Sequence, residues 1–235
     1  MNKDVVVERL FDALLTGDRQ QSARVVAQAR CEGMNCEQLV TEVFWPTHTM
    51  IERLHREDKL SKLAHNSATR LLRVLCDRAA GEFELAPSNG RTIFAFCGPN
   101  EADELAAQIA TDLLEREGFT LRYCGGGIAG DEILEAVNES TPDILLIFAS
   151  APTDLPEIRG VIDSLNDIGA CRETQIVVGG GVFARASGLA EEIGADLWAD
   201  EPDEVVEAIL DEPTRRMSQD QRTVGRNKAA HARAA

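Results

Sequence analysis

Histidine is scarce in this chain: there are four among 235, at positions 48, 55, 65 and 231, and none lies between His65 and His231. Within that stretch no imidazole is available as a base for a serine or cysteine nucleophile. No Gly-x-Ser-x-Gly elbow occurs either, so nucleophilic hydrolysis is not expected. The six cysteines (Cys31, Cys36, Cys76, Cys97, Cys124 and Cys171) include no Cys-x-x-Cys pair, and no His-Glu-x-x-His is present. The usual zinc frameworks are thereby removed, and a reduced, cytoplasmic protein is expected. No apolar run reaches membrane-spanning length, and Met1-Asn2-Lys3-Asp4 opens no signal-peptide core. Positive charge is also short, with 24 Lys and Arg against 40 Asp and Glu, a net charge of −16. Six basic residues (Arg215, Arg216, Arg222, Arg226, Lys228 and Arg233) fall in Pro213 to Ala235 with the single acid Asp220, so this tail carries +5 and leaves −21 on the rest. Such an acidic body repels a nucleic-acid backbone, and no helix-turn-helix segment precedes it, so direct DNA binding is not expected.

Apolar residues make up 44% of the chain, enough for two modest cores, and they follow two different periods. From Asp4 to about Ala80 they recur at helical spacing: Val6, Leu10, Leu14; then Ala23, Val26, Ala27; then Leu39, Val43, Thr47, Ile51; then Leu63, Ala68, Leu71, Leu72, Leu75. Breaks at Thr16-Gly17-Asp18, Glu32-Gly33 and Glu57-Asp58 divide this region into a four-helix bundle over residues 1–83. Glu84 to Gly90, with Pro87-Ser88-Asn89-Gly90, reads as a linker. Residues 91–212 then alternate strand and helix. The strands are Thr92 to Cys97, Phe119 to Cys124, Ile144 to Ala149, Ile176 to Val178 and Leu197-Trp198. Apolar strands joined by helices predict an α/β, flavodoxin-like, doubly wound sheet of five parallel strands. In such a sheet the ligand crevice lies beyond the carboxyl ends of the strands, at the loops starting from Gly98, Gly125, Ser150 and Gly179. The tail, residues 213–235, has no apolar stripe and is expected to be disordered.

Two common uses of this fold are disfavoured by the residues at those loops. A phospho-receiver needs an aspartate at the end of the third strand and a lysine at the end of the fifth, where Phe148-Ala149-Ser150 and Trp198-Ala199-Asp200 stand. Dinucleotide binding needs Gly-x-Gly-x-x-Gly in the first turn, which is Gly98-Pro99-Asn100-Glu101.

The Gly118-Phe119 turn, the run Gly125 to Val137 with Pro142-Asp143-Ile144, Val178-Gly179-Gly180-Gly181, and Glu192-Ile193-Gly194-Ala195-Asp196 occur in the order of one known family. They resemble the cobalamin-binding domain shared by methionine synthases, mutases, corrinoid methyl carriers and light-sensing regulators. The resemblance covers roughly half the chain and implies cobalamin as cofactor. It also exposes two departures. The family's Asp-x-His-x-x-Gly, whose histidine is the lower ligand to cobalt, maps onto Glu101, Asp103 and Ala106, so the ligand imidazole is replaced by a carboxylate. Phe148 stands where the family commonly has a small or hydroxyl residue along the pocket for the nucleotide tail.

The helical region from Pro46 to Arg73 is similar to the regulators' cap, with His55 at its tryptophan position and His65-Asn66 at its Glu-His pair. The resemblance implies Asn100, Glu101, Asp103, Gly125, Gly126, Ser150, Gly179, Gly180 and Gly181 as cofactor-binding residues, with His55 and His65 above. It implies no catalytic residue and no metal site. The expected function is a non-catalytic sensor or regulatory protein holding a corrinoid or related tetrapyrrole between cap and sheet domain. Its expected partner is a regulatory or signalling protein, and a homo-oligomer is allowed. The alternatives are a corrinoid carrier subunit of a methyltransferase or mutase system, and a ligand-free interaction module.

Overall fold

The computed structural model describes residues 2–99, 101–169, 171, 173–186, 188–218 and 222–227, with residues 101 and 102 described at the backbone. The chain divides into two compact units, Met1–Glu84 and Leu85–Ala235.

The first unit is helical: α1 (Lys3–Leu15), α2 (Arg19–Cys31), α3 (Cys36–Leu39), α4 (Trp45–Arg56) and α5 (Lys62–Ala80). Short polar side chains start the helices by accepting otherwise unpaired amide hydrogens, namely Asn2, Asp18, Asn35 and Ser61. α3 and α4 are two parts of one rod, joined by a π turn over Val40–Phe44. Pro46 explains the turn. Its ring has no N–H and would press on the carbonyl four residues back, so the helix widens just before it, and the Trp45 amide donates to Val40, five residues back. Four rods result, and Leu10, Leu14, Phe44, Ile51 and Leu72 are fully buried among them.

The second unit runs β1 (Thr92–Cys97), α6 (Glu101–Arg116), β2 (Thr120–Gly126), α7 (Gly130–Ser140), β3 (Ile144–Phe148), α8 (Leu155–Ile168), β4 (Gln175–Gly179), α9 (Gly181–Arg185), α10 (Leu189–Glu192), β5 (Leu197–Ala199), α11 (Pro202–Asp211) and β6 (Val224–Arg226). The strands lie in the order β2-β1-β3-β4-β5-β6, with every pair parallel. The chain leaves β1 toward β2 and returns past it to β3, so the topological switch point lies between β1 and β3. Leu145, Ile147 and Ala149 share one core with Ile133 and Val137 of α7 and Ile158, Val161 and Ile162 of α8. Because strand side chains alternate, Ile144, Leu146 and Phe148 point to the opposite face. On that face α6 packs on β1 and β3, and α11 packs on α6, β4 and β5.

Two expectations change. The sheet has six strands, not five. The segment 84–90, read as a linker, is tied to the sheet unit: the Ala86 amide donates to the Arg116 carbonyl and the Asn89 amide to that of Gly118. Gly118 (φ +85) sits so close beneath this strap that a Cβ there would lie 2.2 Å from the Pro87 carbonyl oxygen. The first half of the basic tail is also ordered. Gln175 Nε2 donates to the carbonyls of Glu212 (2.8 Å) and Arg215 (3.0 Å), β6 pairs with β5, and Arg226 meets Glu207 and Asp211 of α11. Opposite charge on the acidic body holds what composition alone leaves in solvent. Residues 219–221 and 228–235, including Asp220, Lys228, His231 and Arg233, lie outside the described residues.

Candidate cofactor site

The carboxyl ends of β1, β3, β4 and β5 are stitched together by amides just past the strands. Gly98 N–H donates to Phe148 (2.8 Å), Ala149 N–H to Gly179 (2.9 Å) and Gly180 N–H to Ala199 (3.1 Å). These bonds fix the loops starting at Gly98, Ser150 and Gly179 along one edge, and β2 ends beside them with Gly125 and Gly126. Arg185 of α9 donates to the Ser150 carbonyl, tying the loop after β3 to the helix after β4.

At the switch point the floor is acidic. Asp103, in the first turn of α6, is buried, and its Oδ2 and that of Asp154 each lie 2.7 Å from the place a Gly98 Cβ would occupy. The Asp154 oxygen is buried without a hydrogen-bond partner. A helix N-terminus suits a carboxylate at position 103. The amino end of α6 is held from β2, whose Tyr123 Oη donates to the Glu104 carbonyl at 3.0 Å. Asp154 was not singled out from the sequence; the only signal is its place four residues into the loop that begins at Ser150.

Phe148 is 1% exposed. Its Cε1, Cζ and Cδ1 lie 2.6, 2.7 and 3.0 Å from where Gly179, its register partner on β4, would place a Cβ. Gly179 is therefore a glycine because the ring lies flat against its backbone. Internal packing also accounts for two more glycines, since a Cβ at Gly126 would lie 2.3 Å from the Gly98 oxygen, and one at Gly180 2.2 Å from the Ala149 oxygen. At Gly125 a Cβ would meet nothing within 4 Å, and at Gly181 only the flexible end of Arg185 comes closer than 3.0 Å. Asn100 lies outside the described residues, and Glu101 is placed by its backbone alone as the first residue of α6.

His55 and His65 belong to the helical unit, on α4 and α5. Their rings stack at 4.0 Å, His65 Nε2 lies 2.5 Å from Glu52 Oε1, and His65 is buried. His48, also buried, packs against Trp45 at 5.3 Å. Among the described residues no group of three or more His, Cys, Asp or Glu is arranged to hold a metal ion, and no helix is long and apolar enough to cross a membrane.

Two aspartates in the resemblance motifs are staples at the opposite, amino-terminal edge of the sheet. Asp143 accepts from Thr92 N–H (2.7 Å) and Thr92 Oγ1 (2.9 Å), and these bonds hold its carboxyl below the usual range. Asp196 accepts from Ile176 N–H (2.7 Å) and from the Met217 amide, but burial outweighs those bonds and pushes its carboxyl up.

A parallel sheet in this order, with glycine-rich loops at its carboxyl edge, defines a nucleotide- or cofactor-binding α/β class. Comparison with known proteins narrows it: the profile of the B12 binding domain matches residues 91–210, and the chain belongs to that family. The cofactor class of this domain is the corrinoid. Over 106 residues, 45% of the chain, it is 26% identical to dimethylamine corrinoid protein 1 of Methanosarcina acetivorans. Over the same length it is 26% identical to dimethylamine corrinoid protein 3 of Methanosarcina mazei. It spans 49% and 62% of these two relatives. The fold matches the solved monomethylamine corrinoid protein of Methanosarcina barkeri with a TM-score of 0.77, covering 88% of this chain and 98% of that one at 16% identity.

The residues present fit this cofactor only in part. The loops at the carboxyl edge offer backbone and an open glycine turn to a flat macrocycle. The floor does not fit an imidazole-ligated cobalt: it presents Asp103 and Asp154, and residues 91–227 contain no histidine. A carboxylate does not replace imidazole as a ligand of this type. The space under the end of β3 is filled by Phe148.

Proposed function

We propose that this protein is a corrinoid carrier that serves a methyltransferase system and catalyses no reaction by itself. The observation that carries the reading is the sequence similarity to two dimethylamine corrinoid proteins, in a chain that also carries a B12-binding domain. The carrier reading thus replaces the sensor as the first choice, because the relatives named above belong to methylamine systems and none is a regulator. The partner proposed is accordingly a methyltransferase subunit. When bound, the corrinoid supplies the exchangeable methyl site. The chain's own residues shape the loops around Gly98, Gly125, Ser150 and Gly179, and hold those loops in register through the Gly98, Ala149 and Gly180 amides.

The test is reconstitution. The purified chain is incubated with hydroxocobalamin, passed over a desalting column, and read by absorbance for retained corrinoid. About one corrinoid per chain supports the reading, and absence of retained corrinoid sinks it. Affinity capture from the native host, with the methyltransferase subunit of a methylated-amine or methanol system as the expected partner, tests the second half. Recovery of a signalling protein in its place would return the sensor to first choice.

A further inference from the structure

We infer that the chain binds its corrinoid with the nucleotide tail outside the sheet unit, and so accepts a tailless corrinoid such as cobinamide as readily as cobalamin. The inference rests on the corrinoid reading above and adds which form of corrinoid the site takes.

Two independent observations support it, one steric and one electrostatic. A substituent descending from the crevice at the β1–β3 switch point, between the sheet and α6, has to pass the carboxyl end of β3. There the Phe148 ring covers the one stretch of neighbouring strand without a side chain, Gly179, with three ring carbons at 3.0 Å or less from the vacant Cβ position. Further along the same face Ile144 and Leu146 of β3 and Ala107, Ala110 and Leu114 of α6 are fully buried. The strand end that carries the ring is pinned by Gly98 N–H to the Phe148 carbonyl and by Ala149 N–H to the Gly179 carbonyl, and the ring itself is buried. A packed interior resists such displacement. The entrance is also of the wrong sign. A cobalamin tail carries an anionic phosphodiester, and the Asp103 and Asp154 oxygens both face Gly98 at the mouth of this path. An anionic group entering there meets carboxyl oxygens and no cationic side chain of that pair to receive it. Cobinamide has neither the nucleotide nor its phosphodiester.

The experiment uses the full chain free of any affinity tag, titrated with aquacobalamin and with diaquacobinamide and followed by absorbance. The expected result is dissociation constants within about threefold of each other. Phe148→Ala, and the milder Phe148→Leu in case the first does not fold, should tighten cobalamin about fivefold or more while moving cobinamide less than about twofold. Cobalamin binding about tenfold or more tighter than cobinamide in the native chain overturns the inference alone. So does unchanged cobalamin affinity in every folded Phe148 variant. Failure of both corrinoids to bind overturns the carrier reading, and the inference with it.

Discussion

Phe148 and Gly179 form a matched pair in which each residue makes sense only beside the other. Gly179→Ala should cost roughly 1–3 kcal/mol, because the new methyl overlaps the ring. Phe148→Ala should cost roughly 3–5 kcal/mol by loss of a buried aromatic. The double substitution should cost less than the sum by about 1 kcal/mol or more, since the methyl then enters space the ring has left. Urea melts of the four proteins check this, and strict additivity would show that the two sites do not touch. Phe148 was legible in the sequence as a departure from a family pattern, whereas its contact with Gly179 was not, because it depends on the register of β3 against β4. Asp143 gives a second residue-scale prediction. Its folded carboxyl titrates below its unfolded value, so its contribution is full above the ordinary carboxylate range and is lost as pH falls through the depressed folded value. Wild type should therefore lose stability from about pH 4 downward, and Asp143→Asn should flatten that acid limb in denaturant melts at stepped pH. Asp196, raised by burial, works with the opposite sign: its share is present at low pH and is lost as pH rises through its folded value.

At the scale of elements, the helices and the first five strands could be read because their apolar periods are local properties of the chain. The sixth strand could not. Val224-Gly225-Arg226 is too short and too polar to show a period, and what holds it is distant in sequence: the edge of β5, and Glu207 and Asp211 on α11. The π turn before Pro46 was missed for a different reason, since a widened turn leaves helical spacing almost intact. The site was half legible. The loops were located by strand order alone, but the Asp103–Asp154 floor brings together residues from the turns after two non-consecutive strands. Gly225 offers a direct test of β6, because a Cβ there would lie 1.9 Å from Trp198 Nε1. Gly225→Val should release the strand, shift Trp198 emission to the red in a Trp45→Phe background, and speed tryptic cleavage after Arg222 and Arg226. Unchanged emission together with unchanged cleavage would remove β6 from the fold.

At the scale of the whole molecule, the sheet unit has its own continuous core, from Phe94 on β1 through Leu145 and Ile147 to Val178 and Phe183. Residues 85–235 expressed without the helical unit should therefore unfold in a single cooperative transition, with coincident circular dichroism and fluorescence curves. Non-coincident curves would show that residues 85–235 do not fold as one cooperative core. One consequence of β6 reaches into practice at the bench. Because β6 runs parallel to β5 and ends level with Ala199, any polypeptide appended after Asn227 sets out from the same sheet edge as the candidate loops. From β6 to β3 is three strand spacings, about 14 Å, which four or five extended residues span. An oligohistidine fused directly after Asn227 would thus start within reach of the candidate loops and offer cobalt the imidazoles that residues 91–227 lack. The resulting spectrum would report the purification handle in place of the protein's own chemistry.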